Sequence, residues 1–199
     1  CKIKAWVLDV DIKGFFDNIS HKVMLELLQQ HTQEKWVMMY VERWLQAGVE
    51  QKDGSITART KGTPQGGVIS PLLANVYLHH AFDMWMDKAY PQCPFERYAD
   101  DIVVHCSSNE EAEDLLEKAR MSEYELTLHP DKTKIVYCRN DKRNESNDET
   151  EESFTFLSYS FQPRAKPDRF GIKKIYVEFS GAISNMAKSL IRKAIRGVM

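Results

Sequence analysis

Apolar and polar positions follow two different periods along this chain, and the changes between them mark its elements. Ile3 to Val10 is rich in β-branched and apolar residues and predicts a buried strand. Val23, Leu27 and Leu28 then recur at helical spacing behind Ser20, a residue type whose hydroxyl caps helix starts. Val37, Val41, Trp44 and Leu45 form a second helical stripe, with Thr32 as its cap and Gly48 as its stop. Residues 49–62 are polar and predict a hairpin-like excursion. Ser70-Pro71 predicts the start of the longest helix, because proline at the first helical position gives up an N–H that would have no partner. That helix should run to about Lys88, with Leu73, Val76, Tyr77, His80 and Met84 facing inward.

Phe95 to Tyr98 and Ile102 to Cys106 read as strand arms around a tight acidic turn, which implies an antiparallel pair. Ser108-Asn109-Glu110-Glu111 has the spacing of a capping box, and Leu115, Leu116 and Ala119 form the core side of the helix it opens. Ile135-Val136-Tyr137 is a further short strand, and residues 139–152 lack periodicity and predict a mobile acidic loop. Phe154 to Phe161 and Ile175 to Phe179 predict closing strands. Ile183, Ala187, Leu190, Ala194 and Val198 line one side of a last helix, with Lys188, Arg192, Lys193 and Arg196 on the other. The mixture predicts an α+β layer, a sheet with one wet face packed on helices, rather than a doubly wound parallel sheet.

Composition changes this picture little. The 199 residues are 43% hydrophobic with a net charge of −2, enough for a real core and not the balance of a uniformly basic nucleic-acid binder. The average hides segregation: residues 139–152 hold six acids against three bases, whereas 163–199 hold nine Lys/Arg against two acids, a basic end able to track phosphates. Cys1, Cys93, Cys106 and Cys138 show no CxxC spacing and read as small apolar residues of a reducing cytoplasm. No apolar run approaches the roughly 18 residues that span a bilayer, so no membrane partner is expected. The chain starts inside a strand pattern and stops inside a helical one, which suggests a piece of a longer protein.

The chemistry centres on acids. Asp11 ends the first strand pattern, and Asp100-Asp101 sits on the tight turn. Carboxylates brought together repel, and a hard divalent cation such as Mg²⁺ relieves the conflict. A two-metal site with ions roughly 3.5–4 Å apart would suit phosphoryl transfer. Asp9 shares a strand face with Asp11 and competes for that role, whereas Asp17 suits a local cap. The six histidines have no zinc-like spacing, His80 reads as a core residue, and Trp6, Trp36, Trp44 and Trp85 read mainly as core.

Three ordered segments carry a resemblance: Asp11-Ile12-Lys13-Gly14-Phe15-Phe16-Asp17, Gly62-Thr63-Pro64-Gln65-Gly66-Gly67 leading into Ser70-Pro71, and Tyr98-Ala99-Asp100-Asp101. Leu128-His129-Pro130-Asp131-Lys132, Phe156-Leu157-Ser158-Tyr159-Ser160-Phe161 and Phe179-Ser180-Gly181 extend it. Together they resemble the reverse transcriptase family, specifically the bacterial group II intron-encoded type with a maturase role. The resemblance implies a polymerase palm with an RRM- or ferredoxin-like core over residues 1–162, part of the fingers side, and a passage into the thumb over 163–199.

It also implies roles. Asp11, Asp100, Asp101 and the carbonyl of Ile12 would hold two Mg²⁺ ions, with Mn²⁺ as a substitute. Phe16 would exclude a 2′-hydroxyl, with Phe15 as its core neighbour. Gln65 and Gly66 would meet the incoming nucleotide, and Lys132 would protonate the leaving group. Tyr98, Pro64, Gly67, Leu157 and Ser158 would contact primer and template. The implied partners are an RNA template, a DNA or RNA primer, dNTPs and intron RNA. The lone palm is expected to polymerise poorly and to self-associate through exposed apolar surface. A retron-type or CRISPR-associated reverse transcriptase, a non-catalytic RNA-binding maturase, and a carboxylate-metal nuclease or phosphatase stay open as alternatives.

Overall fold

The structure, a computed structural model, describes residues 4–50, 53–64, 66–141, 150–167 and 175–198. These divide into two compact units, one built from residues 1–10, 93–118 and 130–199, the other from 11–92 and 119–129.

The first unit is organised by a four-stranded sheet of β1 (Trp6–Val10), β4 (Phe95–Tyr98), β5 (Asp101–Cys106) and β6 (Lys134–Tyr137). Its spatial order is β4-β5-β1-β6 with every pairing antiparallel, the strand order of the ferredoxin-like core. Register decides which side chains share a face. Val10 lies opposite Ile102 and Leu8 opposite Val104, and these four are buried on the side covered by α6 (Asn109–Lys118). The Ser108 hydroxyl accepts from the Glu111 N–H at 3.2 Å, and the Glu111 carboxylate reaches back to the Ser107 N–H at 2.6 Å, one residue earlier than in a standard box. Ala112 and Leu115 face the sheet, whereas the expected Leu116 and Ala119 are half-buried.

The opposite face is not wet as expected. A second sheet of β7 (Phe154–Phe156), β8 (Tyr159–Pro167) and β9 (Ile175–Ile183) supplies Phe154 and Phe179, which form one buried cluster with Val7, Val103 and Val136. Phe154 and Phe161 stack at 4.8 Å with ring planes 7° apart. Aromatic residues at a two-residue period therefore cover a face that the first strands alone could not. Ile183, expected on the last helix, ends β9 opposite Tyr159. The Ser184 hydroxyl then accepts from the Ala187 N–H at 3.2 Å, and α7 (Asn185–Val198) begins. Its Met186, Leu190, Ile191 and Ile195 are exposed.

The expected mobile loop over 139–152 is anchored at both described ends. Arg139 pairs with Glu152 at 2.9 Å, and the Tyr137 N–H donates to the Glu151 carbonyl at 2.8 Å. Residues 142–149 lie outside the described residues.

The second unit holds α1 (Phe15–Asn18), α2 (His21–Leu28), α3 (Lys35–Gln46), the small hairpin β2 (Val49–Glu50) with β3 (Ile56–Thr57), α4 (Ser70–Leu78) and α5 (Met84–Ala89). Ser20 occupies the N-cap of α2 without a side-chain cap bond. Thr32 precedes α3 and accepts from the Glu34 N–H at 3.2 Å. In α3, Val41 and Leu45 are buried, but Trp36 is 61% and Trp44 44% exposed, which corrects their core assignment. Residues 36, 40 and 44 form the stripe beside 37, 41 and 45, rotated by about 100°, and only the latter faces inward. Trp6 and Trp85 are half-buried against Tyr137 and Tyr90.

The longest helix is interrupted. Residues His79–Asp83 form a π-helical turn between α4 and α5, which inserts extra rotation into the register. Met84, expected inward, is therefore 50% exposed, while Ala81, Phe82 and Met86 are each 1% exposed. His80 is half-buried, and its Nε2 sits 2.8 Å from His31 Nε2, so one ring donates and the other accepts.

Candidate active site

In the first unit the acidic pair sits on a two-residue hairpin. Tyr98 pairs with Asp101, leaving Ala99 and Asp100 as the turn. Tight hairpins of this length require a positive φ, and Ala99 adopts 53°, a conformation that costs a non-glycine residue roughly 1–2 kcal/mol. The Arg97 guanidinium donates to the Ala99 carbonyl at 3.2 Å and braces the turn. Asp100 is half-buried and Asp101 exposed. Tyr98, 66% exposed, projects from the same face as Asp101, Glu96, Val103 and His105. Leu157 and Ser158 form a second two-residue turn at the β7–β8 tip, with φ of 48° and 67°, and Ser158 accepts from the Ser184 N–H at 2.9 Å. Lys132 lies exposed on a turn ahead of β6.

In the second unit Asp11 and Ile12 run beside residues 127–129. His129 N–H donates to the Asp11 carbonyl at 2.8 Å and Lys13 N–H to the Thr127 carbonyl at 2.9 Å, on either side of the Ile12–Leu128 bridge. In such a pair the Ile12 carbonyl points away from residue 128. Gly14, at φ 54°, turns the chain into α1. Phe15 is buried, and Phe16 is half-buried with its ring edge-on to Phe15 at 5.3 Å.

The segment leading to α4 is laid directly against this turn. Gly62 N–H donates to the Ile19 carbonyl at 2.7 Å, and Thr63 N–H donates to the Phe16 carbonyl at 2.8 Å. The His21 ring bonds the Gly62 carbonyl at 2.8 Å, and Lys61 donates to Asn18 at 2.8 Å. Pro64, Gly66 and Gly67 follow at once. The Pro64 carbonyl accepts from the Ser70 hydroxyl at 2.7 Å and from the Gly67 N–H at 3.1 Å. Ser70 thus pins this loop instead of capping α4, whose N-cap is Ile69. A Cβ at Gly67 would lie 2.7 Å from the Ser70 hydroxyl, whereas one at Gly66, φ 81°, would enter open space. Gln65 lies outside the described residues.

Phe16 and the Pro64–Gly67 segment are therefore one assembly, held by backbone bonds. Asn18, His21 and Lys61 hold it together without any signal in the sequence, while Thr63 and Ser70 make contacts beyond their expected places in the loop motif and at the helix start. Gly62, at φ 80°, is packed on backbone. The Thr63 hydroxyl is fully buried without a partner among the described residues.

The group II intron-encoded protein LtrA of Lactococcus lactis subsp. cremoris is 39% identical over 74 residues, 37% of this chain and 12% of the relative. YkfC of Escherichia coli is 27% identical over 167 residues, covering 66% of this chain and 43% of its own length. An intron 2 protein of Saccharomyces cerevisiae is 26% identical across 97% of this chain and 23% of the relative. The chain thus spans less than half the length of these relatives. Among solved structures, an apo telomerase from Candida tropicalis, truncated from its C-terminal domain, superposes with a TM-score of 0.59 at 14% identity over 79% of this chain and 34% of that one. At that identity the likeness shows a shared fold. Residues 2–161 match the family model described as reverse transcriptase (RNA-dependent DNA polymerase), and the chain belongs to that family.

Proposed function

We propose that this chain is the palm of a group II intron-encoded reverse transcriptase, joining dNTPs to a primer 3′ end on an RNA template, and that its parent also binds intron RNA. The observation that carries the reading is the joining of the Phe16 turn to the Pro64–Gly67 segment by the bonds from Gly62 and Thr63. A nuclease or phosphatase built on the same acids has no use for a half-buried ring held beside a glycine-rich loop.

Three carboxylates and a backbone carbonyl are a hard-oxygen donor set, which suits Mg²⁺ or Mn²⁺. Asp11, Asp100, Asp101 and the Ile12 carbonyl would hold the ions. Bound ions would lower the pKa of a primer hydroxyl and offset charge on the triphosphate. Phe16 would bar a 2′-hydroxyl, and Gln65 and Gly66 would meet the nucleotide. Tyr98, Pro64, Gly67, Leu157 and Ser158 would orient primer and template. Lys132 would deliver a proton to pyrophosphate.

Mn²⁺ titration of the full chain tests the reading: two ions should bind, and Asp11→Ala or Asp100→Ala should weaken binding at least tenfold with the melting temperature unchanged. RNA binding without ion binding would favour a non-catalytic maturase. In primer extension by the full-length parent protein, Phe16→Val should let ribonucleotides in, raising their relative use by about 10–200-fold, the discrimination one steric contact supplies.

A further inference from the structure

We propose that Cys93, Cys106 and Glu111 form a second, separate metal site that takes one thiophilic divalent ion of the zinc or cadmium class, with water as the fourth ligand. The strand register brings the two thiols together. Phe95 lies opposite Val104, and the His105 N–H donates to the Pro94 carbonyl at 2.9 Å, which makes Pro94 and His105 a hydrogen-bonded pair. The next pair along, Cys93 with Cys106, is then of the close, non-hydrogen-bonded kind, with Cα atoms roughly 4.5 Å apart. Glu111 reaches the same spot from the first turn of α6. The two sulfurs and a Glu111 oxygen all lie within 4.8 Å of one another. Ligands around a tetrahedral ion with Zn–S of about 2.3 Å and Zn–O of about 2.0–2.2 Å stand roughly 3.4–3.8 Å apart, so an ion needs the group to close by at most roughly 1.0–1.4 Å.

The surroundings supply what such an ion needs beyond its ligands. The Ser107 N–H donates to Glu111 Oε2 at 2.6 Å and fixes the carboxylate. Two thiolates, one carboxylate and a dication sum to −1. The Lys4 ammonium, which lowers both thiol pKa values and donates to the Ser107 hydroxyl, offsets that charge. Cys93 and Cys106 are 2% and 0% exposed, and burial pushes their thiols up to about 12 and about 11. They are protonated when no metal is bound, and an ion would displace two protons, making affinity rise with pH. Softness separates this site from the oxygen-only cluster proposed for Mg²⁺. Cys106 stands five residues along β5 from Asp101, about 16 Å at strand rise. An ion here would clasp the base of the acidic hairpin to α6.

The test uses the full chain under reducing conditions with excess Mg²⁺ present. Cd²⁺ titration should give the ultraviolet thiolate-to-cadmium band saturating at one equivalent, and Zn²⁺ should displace it and raise the melting temperature. Cys93→Ser and Cys106→Ser should each abolish the band, and Glu111→Gln, which keeps the helix start, should weaken binding at least tenfold. Circular dichroism checks that each variant folds. No band, a band that survives both serine variants or is indifferent to Glu111→Gln, or Cys93–Cys106 disulfide formation with a mild thiol oxidant as the sole chemistry of the pair would overturn the proposal.

Discussion

Gly62→Ala is the sharpest probe of how the second unit is built. Gly62 adopts φ 80°, and a Cβ there would sit 2.8 Å from both the Phe16 and Asp17 carbonyl oxygens. The Phe16 oxygen is held by the Thr63 N–H at 2.8 Å, and the Gly62 N–H ties the same segment to the Ile19 carbonyl at 2.7 Å, so the two strands of the contact cannot simply part. Left-handed backbone costs an L-residue roughly 1–2 kcal/mol, and forcing extra volume into a packed site about 1–3 kcal/mol. The sum, about 2–5 kcal/mol, corresponds to a fall in melting temperature of roughly 4–20 °C for a chain of this size. Gly54→Ala is the internal control: φ is 82°, but a Cβ there meets nothing within 4 Å. It should show the backbone cost alone. Urea denaturation of the two variants beside the parent separates the two contributions by subtraction. Equal losses would refute the direct stacking of residues 62–63 on the Phe16 turn, and with it the basis for placing Phe16 beside the Pro64–Gly67 loop.

Two further predictions follow from particular side chains. Met86→Ala should cost about 2–5 kcal/mol and Met84→Ala less than about 0.5 kcal/mol in urea unfolding, because the π-turn buries Met86 and exposes Met84; the reverse order would mean an uninterrupted helix. His80 and His105 are held below the ordinary histidine value of 6.5, both chiefly by burial, with His31 and His79 adding to the effect at His80. The unfolded chain takes up protons near pH 6.5 that these rings resist, so the urea midpoint should fall as pH drops below about 6.5 and stay level above it. His105→Gln should flatten that slope, and a midpoint independent of pH between 5 and 8 would contradict the burial of both rings.

The antiparallel pairing around Asp100-Asp101, the hairpin at 49–62 and the start of α4 near Ser70 were legible because alternation, turn residues and Pro71 all agreed. The π-turn at His79–Asp83 was not. Every residue from Leu78 to Ala89 fits a helix, and the extra rotation is set by packing of Ala81, Phe82 and Met86. Trp36 and Trp44 misled because aromatic residues at helical spacing usually mark the core, whereas here the adjacent Val41–Leu45 stripe is buried. Ile183 suits a strand as well as a helix, and Ser184 decided the boundary by capping α7. Cys93 and Cys106 carried no spacing signal, since only strand register makes residues 13 apart neighbours. The candidate acids and Phe16 could be read from their motifs. The bonds that hold Phe16 to residues 62–63 could not, because backbone groups leave no letter in a sequence.

Backbone strain is concentrated at two hairpin tips of the first unit. Four non-glycine residues among those described have positive φ, and three of them, Ala99, Leu157 and Ser158, form the tips of the β4–β5 and β7–β8 hairpins. Two-residue hairpins favour glycine or asparagine at these positions, and each substitute costs roughly 1–3 kcal/mol. A turn selected for stability would not place leucine there, 42% exposed at a sheet tip. The hairpins themselves pair at four and three positions, and their second strands pair further with β1 at five positions and with β9 at nine, a ladder extensive enough to hold the strained conformation in place. Three of the four strained residues thus sit at two hairpin tips, one carrying Asp100 and the other an exposed leucine, and each tip is kept at a cost to the fold that presents it.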